Sequence, residues 1–460
     1  MLIVSCCKNL VVLKFGGSIL RSGSDYVRVA QHVKELVDAG FRVVVVVSAM
    51  KGITDLLSLV ASSRERVKVL KEVISKYLLA IREVGCDGVP KGQLSAFSEV
   101  SAELAKVAWA IDVLGEVTPR VRDYVLSFGE VMSSVIMSLA LRSQGVSTKW
   151  FTGRQAGIVT DDNYGEANPI HEVSAGLVRE RLCSLIREGA VPVVTGFVAG
   201  TLDGSVTVLG RGGSDFTATL LARHLGASEV RLYTDVPGVM SADPELVPNA
   251  RVIDVMSFNE AMELAYLGAK KFHPRTFEPL VGTDIAVRVT SLHTKGEGGT
   301  LITEEGGGPP LKAVVVLNDL SVVSVVGARM VGRLGTAAEI AATAARVGVN
   351  IIGIVQPVSE ISISLIVNRV DATRLVNALT AIVRKGVVRD VVVEDVVAVS
   401  VVGEGLKDPR FVSEVINWVS EEPLSIVSWY RGDVSLTLTF NNVDKSRVAR
   451  ILHSGVLRYG

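Results

Sequence analysis

Five short segments of the 460-residue chain carry residue types that could hold phosphate or a charged small molecule. Lys14-Phe15-Gly16-Gly17-Ser18 closes a short apolar run. Paired glycines let a backbone approach a phosphate and aim N–H groups at it, and Lys14 adds a point charge. No Gly-Lys-Ser/Thr follows at the spacing of a Walker A loop. Gly210-Arg211-Gly212-Gly213-Ser214-Asp215 opens a second glycine-rich turn ahead of a helix. There Ser214 or Asp215 can cap the helix, Arg211 can hold a carboxylate in a bidentate fork, and Asp215 can accept hydrogen bonds from lysines that surround phosphates. Tyr233-Thr234-Asp235-Val236-Pro237-Gly238-Val239 follows a strand, where ligands of open α/β sheets bind. Gly268-Ala269-Lys270-Lys271 sets a lysine pair at a helix end, and Ser127-Phe128-Gly129-Glu130 offers a helical carboxylate. Taken singly, each segment is equally a tight turn, a cap or a solvated face.

The elements that must position them follow from hydrophobic periodicity. All-apolar runs at 10–15 and 41–48 flank an amphipathic helix over 25–39 that Gly40 closes, which makes a βαβ unit of a parallel sheet. The pattern returns as helix 172–188, strand 191–195, helix 215–225 and strand 229–233. Residues 56–141 read as mostly helical, with an interruption near Gly85-Cys86-Asp87-Gly88. The first half is therefore expected to be an α/β sandwich carrying a helical insertion.

Past a Gly/Pro-dense linker ending in Gly306-Gly307-Gly308-Pro309-Pro310, the chain repeats itself. Val323-Ser324-Val325-Val326-Gly327 recurs as Val399-Ser400-Val401-Val402-Gly403, about 76 residues later. Each copy reads strand, helix, strand, strand, helix. The first has a closing strand near 387–393 and the second has none, so the run 312–317 is expected to complete the second copy's sheet.

Bulk properties exclude several classes. Lys+Arg and Asp+Glu are both 48, so the net charge is zero and no basic stripe suggests nucleic acid. Apolar runs such as Val43 to Val47 are too short to span a bilayer, and no signal peptide is expected. Cys6, Cys7, Cys86 and Cys183 have no framework spacing and are expected to be reduced thiols of a cytoplasmic protein. The six histidines form no metal-ligand cluster, so no metal residue is assigned.

In order and spacing, the five segments together with Ser48-Ala49-Met50-Lys51-Gly52-Ile53-Thr54 and Gly196-Phe197 resemble the amino-acid kinase superfamily and, within it, the aspartate kinases. The resemblance runs over nearly the whole chain. It implies an αβα sandwich with a mainly parallel sheet over 1–305, including the helical insertion at about 56–141. It further implies two ferredoxin-like α+β ACT domains, the first over 320–393 and the second over 312–318 and 394–460. The activity implied is ATP- and Mg²⁺-dependent phosphorylation of the L-aspartate side chain. By the resemblance, Lys14 and Lys270 flank the β- and γ-phosphates, and Gly16, Gly17 and Ser18 bind phosphate. Thr234, Asp235, Met240 and Lys271 line or adjoin the nucleotide. Ser48, Thr54, Glu130, Phe197, Arg211 and Asp215 match the aspartate positions, with Arg211 for a carboxylate and Glu130 for the α-ammonium. Lys14, Asp215 and Lys270 form the catalytic set. The acceptor is already ionised at neutral pH, so no catalytic histidine is needed.

The ACT pair implies feedback by lysine or threonine, with effector contacts at Asn350, Gln356 and Ser359, and a homodimer or larger assembly. Three departures stand out. Ser18-Ile19-Leu20 replaces a frequent Thr-Ser-Val, Glu245 replaces a frequent arginine, and Ile352 stands where effector-sensing relatives often have Asp. An apolar Ile352 cannot pair with an ammonium group, so feedback is expected to depart from the family more than catalysis does. A kinase for a related amino acid and a catalytically silent amino-acid sensor are the alternative readings.

Overall fold

The computed structural model describes residues 6–63, 65–85, 91–268, 272–294, 298–384, 388–441 and 443–459. They form two compact units: Met1–Val239, Val252–Met262 and Lys271–Gly307 in the larger, and Met240–Arg251, Glu263–Lys270 and Gly308–Gly460 in the smaller.

Among the described residues, the larger unit is built on an eight-stranded sheet. Its spatial order is β3 (Thr148–Phe151), β5 (Val191–Thr195), β2 (Arg42–Val47), β1 (Leu10–Phe15), β8 (Glu229–Tyr233), β10 (Ala286–Thr290), β11 (Thr300–Thr303) and β9 (Val255–Ser257). Neighbours run parallel from β3 through β10; β11 is antiparallel to β10 and parallel to β9. The central strands are continuous apolar runs because both faces are covered. Val11, Leu13, Phe15, Val43, Val45 and Val47 join one core with α1 (Gly23–Asp38), α2 (Ile53–Ser62), α3 (Arg66–Val84), α4 (Lys91–Leu114) and α5 (Pro119–Ser143). The alternate positions Val12, Val44 and Val46 are equally buried, on strands that α7 (His171–Arg187) and α8 (Gly213–Leu225) contact. Each such valine contributes roughly 1.5–3 kcal/mol relative to an exposed one. An αβα sandwich results, as the family resemblance implies.

Local signals set the helix ends. In α1, the Asp25 carboxylate accepts the Ser22 N–H at 3.1 Å. Tyr26, Val29, Ala30 and Val33 then bury one face at helical spacing, and Gly40 turns the chain back with φ +90°. Helix α5 starts at Pro119 behind Thr118, whose Oγ1 accepts the Val121 N–H at 3.3 Å. By length and composition α5 would suffice to cross a membrane, a case that the short apolar runs in the sequence did not anticipate. However, 83% of its apolar window is buried inside the protein, as in a core helix. A small sheet of β4 (Val159–Thr160), β6 (Val198–Thr201) and β7 (Val206–Val208), with the one-turn α6 (Gly153–Ala156), lies in the same unit. Helix α9 (Phe258–Tyr266) follows β9.

The cysteines correct one expectation. Cys6 and Cys183 are joined in a disulfide, Cα atoms 5.5 Å apart, which ties the segment ahead of β1 to α7. Their separation of 177 residues leaves no framework spacing to read. Cys7 stays outside the bridge, its thiol pushed up by burial, and Cys86 lies outside the described residues.

In the smaller unit a six-stranded antiparallel sheet runs β13 (Gly353–Val355), β14 (Ser362–Asn368), β12 (Ala313–Val326), β15 (Asp390–Val402), β17 (Ser435–Phe440), β16 (Ile426–Arg431). The long strands β12 and β15 pair along their length: Ala313–Leu317 with Ala398–Val402, then, past an irregularity, Leu320–Val326 with Asp390–Val396. Helices α10 (Thr336–Arg346) and α11 (Arg369–Arg384) pack with the first half, and α12 (Pro409–Ser420) and α13 (Lys445–Val456) with the second. The second core also takes Ala242 and Val247 from the excursion between β8 and β9. Ser241 fixes that excursion. Its Oγ lies 2.8 Å from His453 Nε2, and its carbonyl accepts the Val314 N–H at 2.8 Å.

Candidate active site

The parallel strands of the larger unit converge at their carboxyl ends, where the chemistry-bearing residues gather. Lys14 sits one residue before the end of β1, and its Nζ is 2.6 Å from Asp215 Oδ1, both side chains 12% exposed. Two elements set this pair. Phe15 stacks on Tyr233 from the neighbouring β8, ring centroids 4.7 Å apart, which fixes the end of β1. Asp215 lies in the first turn of α8, whose positive dipole end faces the same place.

The glycines let the backbone pack closely here, tightly at Gly16 and Gly17 and without room for a side chain at Gly212. A Cβ on Gly16 would stand 3.0 Å from Lys14 Nζ, and one on Gly17 would stand 3.1 Å from the Ala49 carbonyl oxygen. Gly212 caps α8 in the left-handed region, φ +69°, and a Cβ there would collide with His273 at 2.3 Å. Phe197 also holds a left-handed backbone, φ +65°, unusual for an aromatic residue. Its N–H donates to Thr217 Oγ1 at 3.0 Å, which locks the Gly196-Phe197 turn onto α8.

Glu130 approaches from α5 and is only 3% exposed. Gly129 lets α5 come this close, since a Cβ there would lie 2.8 Å from Ala49 Cβ. Glu130 Oε1 accepts the Ala49 N–H at 3.1 Å, whereas Oε2 is buried without a hydrogen-bond partner. Burial pushes this carboxyl up to about 8, against the pull of the Ala49 amide. Such a group is arranged to receive a positive charge.

One cleft of about 830 Å³ is lined by Lys14, Ser48, Thr54, Glu130, Phe197, Arg211 and Asp215, seven residues that the sequence singles out. The same wall includes residues that the sequence reading missed: Arg122, Asp123, Tyr164 and Glu166. Asp123 stands seven positions before Glu130 on α5, so the helical repeat alone sets both carboxylates on one face.

Other expected residues fall elsewhere. Thr234 follows β8 directly, its N–H held by the Thr290 carbonyl at 2.8 Å, with Asp235 next. Neither residue, nor Gly16, Gly17 or Ser18, is among the cleft's lining. Met240 belongs to the smaller unit, because the excursion it opens is built into that unit's core. Lys270 and Lys271 lie outside the described residues. Asn350, Gln356 and Ser359 are exposed in the smaller unit around the edge strand β13. Among the described residues, no group of three or more His, Cys, Asp or Glu side chains could hold a metal.

Comparison with known proteins agrees with this architecture. Residues 9–291 match the Amino acid kinase family, and residues 323–382 match the ACT domain. Lysine-sensitive aspartokinase 3 of Escherichia coli is 34% identical over 79% of this chain and 80% of its own length. Aspartokinase 2, chloroplastic, of Arabidopsis thaliana is 29% identical over 96% of this chain and 83% of its own. The crystal structure of E. coli aspartokinase III with lysine and aspartate (T-state) superposes with a TM-score of 0.81 at 30% identity, over 98% of this chain and all of that one. The same enzyme with aspartate and ADP (R-state) gives 0.78 at 30% identity, over 97% and 100%. Since the family match spans more than half of the chain and the E. coli relative is aligned over four-fifths of its length, this chain belongs to the amino acid kinase family, as one of its aspartokinases.

Proposed function

We propose that this chain transfers the γ-phosphoryl group of ATP to the side-chain carboxylate of L-aspartate, giving 4-phospho-L-aspartate and ADP. The observation that carries the reading is the cleft itself. It faces the Lys14–Asp215 pair at the N-terminus of α8 with Arg211 and with the unpartnered Oε2 of Glu130. A free amino acid needs a cationic fork for its α-carboxylate and an anion for its ammonium, and Arg211 and Glu130 supply them. The side-chain carboxylate then points toward the phosphate end. One of its oxygens forms the new P–O bond as the bond from the γ-phosphorus to the β–γ bridging oxygen breaks, and ADP keeps the electron pair. Lys14, the α8 N-terminus and, by the family resemblance, Lys270 offset the charge on the moving group. Phosphoryl transfer depends on such positioning and electrostatics. Gly16, Gly17 and Ser18 are proposed to hold phosphate, and Thr234, Asp235, Met240 and Lys271 to line or adjoin the nucleotide. Ser48, Thr54, Phe197 and Asp215 are proposed to complete the aspartate pocket.

Mg²⁺ is proposed to arrive with the nucleotide. Of the cleft carboxylates, Asp215 pairs with Lys14 and Asp123 accepts two backbone N–H groups, which suits a cation that keeps phosphate and water ligands rather than a protein cage. Asp215 is the residue that would help hold it, and the ion would neutralise phosphate charge.

In the smaller unit, Asn350, Gln356 and Ser359 are proposed to bind a lysine or threonine effector, and a second copy of the chain to cover the edge strand β13. Exposed Ile352, Ile354, Val358 and Ile361 around that edge support the pairing. Light scattering at micromolar concentration should find a dimer or larger; a monomer with and without either amino acid would refute it. The cytoplasm is the proposed compartment, open to check by cell fractionation. The founding test traps aspartyl phosphate as its hydroxamate with ATP and Mg²⁺, while lysine or threonine is titrated in. No product would leave the silent-sensor reading standing. Product insensitive to both amino acids would keep the kinase and discard the effector site.

A further inference from the structure

We infer that Asp123 is a positioning residue for aspartate: it clamps together the two backbone segments that carry Glu166 and Arg211 into the cleft. The inference rests on the reading of Arg211 as the partner of the aspartate α-carboxylate. Asp123 lies on α5 two turns before Glu130, is 1% exposed and lines the cleft. One of its oxygens, Oδ2, accepts two N–H groups from distant parts of the chain: Gly165 at 2.9 Å and Val208 at 3.0 Å.

Each of these amides belongs to a segment with a job in the cleft. Gly165 sits in the turn 161–168, which brings Tyr164 and Glu166 to the wall. That turn is braced from within. Asp161 Oδ1 accepts the Asn168 N–H at 2.8 Å, and Asn163 Nδ2 donates to the Glu166 carbonyl at 3.0 Å. Val208 ends β7, and the chain runs on through Leu209 to Gly210 and Arg211. The two segments also meet directly. Ala167 N–H donates to the Val208 carbonyl at 3.0 Å, and a Cβ on Gly210 would stand 3.1 Å from Glu166 Cγ.

The turn and the Arg211 loop therefore share one buried anchor, and that anchor is a carboxylate fixed to the helix that also carries Glu130. The three groups around the amino acid, Glu130, Arg211 and the Tyr164–Glu166 wall, thus take their spacing from α5. Removing the anchor leaves two N–H groups without their acceptor, and the wall and Arg211 lose their common reference. The phosphate end stays as it was, because Lys14 and Asp215 are set by β1, β8 and α8.

The test is steady-state kinetics on the full chain. Asp123→Ala should raise KM for aspartate by roughly tenfold, the worth of one hydrogen bond to a charged group, with KM for ATP and kcat at saturating aspartate within about twofold. Asp123→Asn, whose amide oxygen can still accept both N–H groups, should fall between the wild type and the Ala variant. An unchanged aspartate KM in folded Asp123→Ala overturns the inference. So does a matched rise of both KM values with a fall in kcat, which marks general damage. If Asp123→Ala does not fold, hydrogen exchange on the wild-type protein decides: aspartate should slow exchange in 161–168 and at Val208 more than ADP does, and equal or absent slowing refutes the clamp. Arg211→Ala, measured alongside, separates the two layers. If it leaves aspartate KM unmoved, the reading of Arg211 fails; if it moves and Asp123→Ala does not, the clamp alone fails.

Discussion

In the cleft of the larger unit, the charged groups Lys14, Glu130 and Asp215 are largely buried and held in place; around residues 349–360 of the smaller unit, apolar groups are exposed. Lys14 and Asp215 pair at 2.6 Å, Glu130 is locked on one oxygen by the Ala49 amide, and Phe197 accepts a left-handed backbone to sit against α8. Around β13, by contrast, Ile352, Ile354, Val358 and Ile361 face solvent, and Asn350, Gln356 and Ser359 are exposed with them. A buried polar site costs stability when the fold forms and then meets its ligand without reorganising. An exposed apolar edge costs little on folding and gains when something covers it. The cleft proposed for aspartate is thus lined from within the larger unit, whereas the segment proposed for an effector presents an exposed apolar edge.

The largest effect should come from the phosphate end. Lys14→Ala should lower kcat by roughly 10²–10³-fold, as loss of a preorganised charge does at other transferring groups, with folding retained. Near-normal turnover in the hydroxamate assay would remove Lys14 from the chemistry. Next, Arg211→Ala should raise aspartate KM by about tenfold or more, the loss of a charge-assisted hydrogen-bonded fork to the α-carboxylate, with a smaller change in kcat. An unaltered aspartate dependence would count against the cleft as an amino-acid site.

A third expectation concerns pH. Glu130 is raised from its ordinary 4.5 to about 8 by burial, so in the free enzyme it is protonated at neutral pH and cannot pair with an ammonium until it ionises. Aspartate KM should therefore fall, by up to about tenfold per pH unit, as pH rises toward 8, and then level off. The same shift has a sign for stability. The unfolded chain gives up this proton near 4.5 and the folded one near 8, so the free enzyme loses stability as pH rises across that window. Glu130→Gln should flatten both trends, and a wild-type KM constant from pH 6 to 9 would contradict the assignment. The smallest effect should come from the exposed segment: Ile352→Asp should leave uninhibited kcat within about twofold, while giving an ammonium-bearing effector a partner. A large loss of uninhibited turnover would erase the contrast between the two regions.

Much of this architecture is legible in the sequence because buried parallel strands are continuous apolar runs. Strands 10–15, 191–195 and 229–233 appear where the pattern puts them, and the first helix begins two residues early, at Gly23 rather than Asp25. The small sheet is not legible, since β4 has two residues and β7 three, too few for a period to register. Of the cleft, Lys14, Ser48, Thr54, Glu130, Phe197, Arg211 and Asp215 could be gathered only through a family resemblance. They span some 200 residues, and each local motif reads equally well as a turn or a cap. Asp123 escaped because it works through backbone N–H groups of Gly165 and Val208, which no residue type announces. The Cys6–Cys183 bridge escaped for a related reason, as only the fold brings its ends together.

The smaller unit's core borrows Ala242 and Val247 from a stretch of chain made well before Leu311, Val314 and the rest of that core. During synthesis those two residues leave the ribosome 64 or more positions ahead of every core partner from Leu311 onward, and must wait for them. A fragment cut at the glycine linker and expressed alone as 308–460 would carry a hole where they belong. The boundary that is easiest to see in the sequence is thus the wrong place to divide the protein.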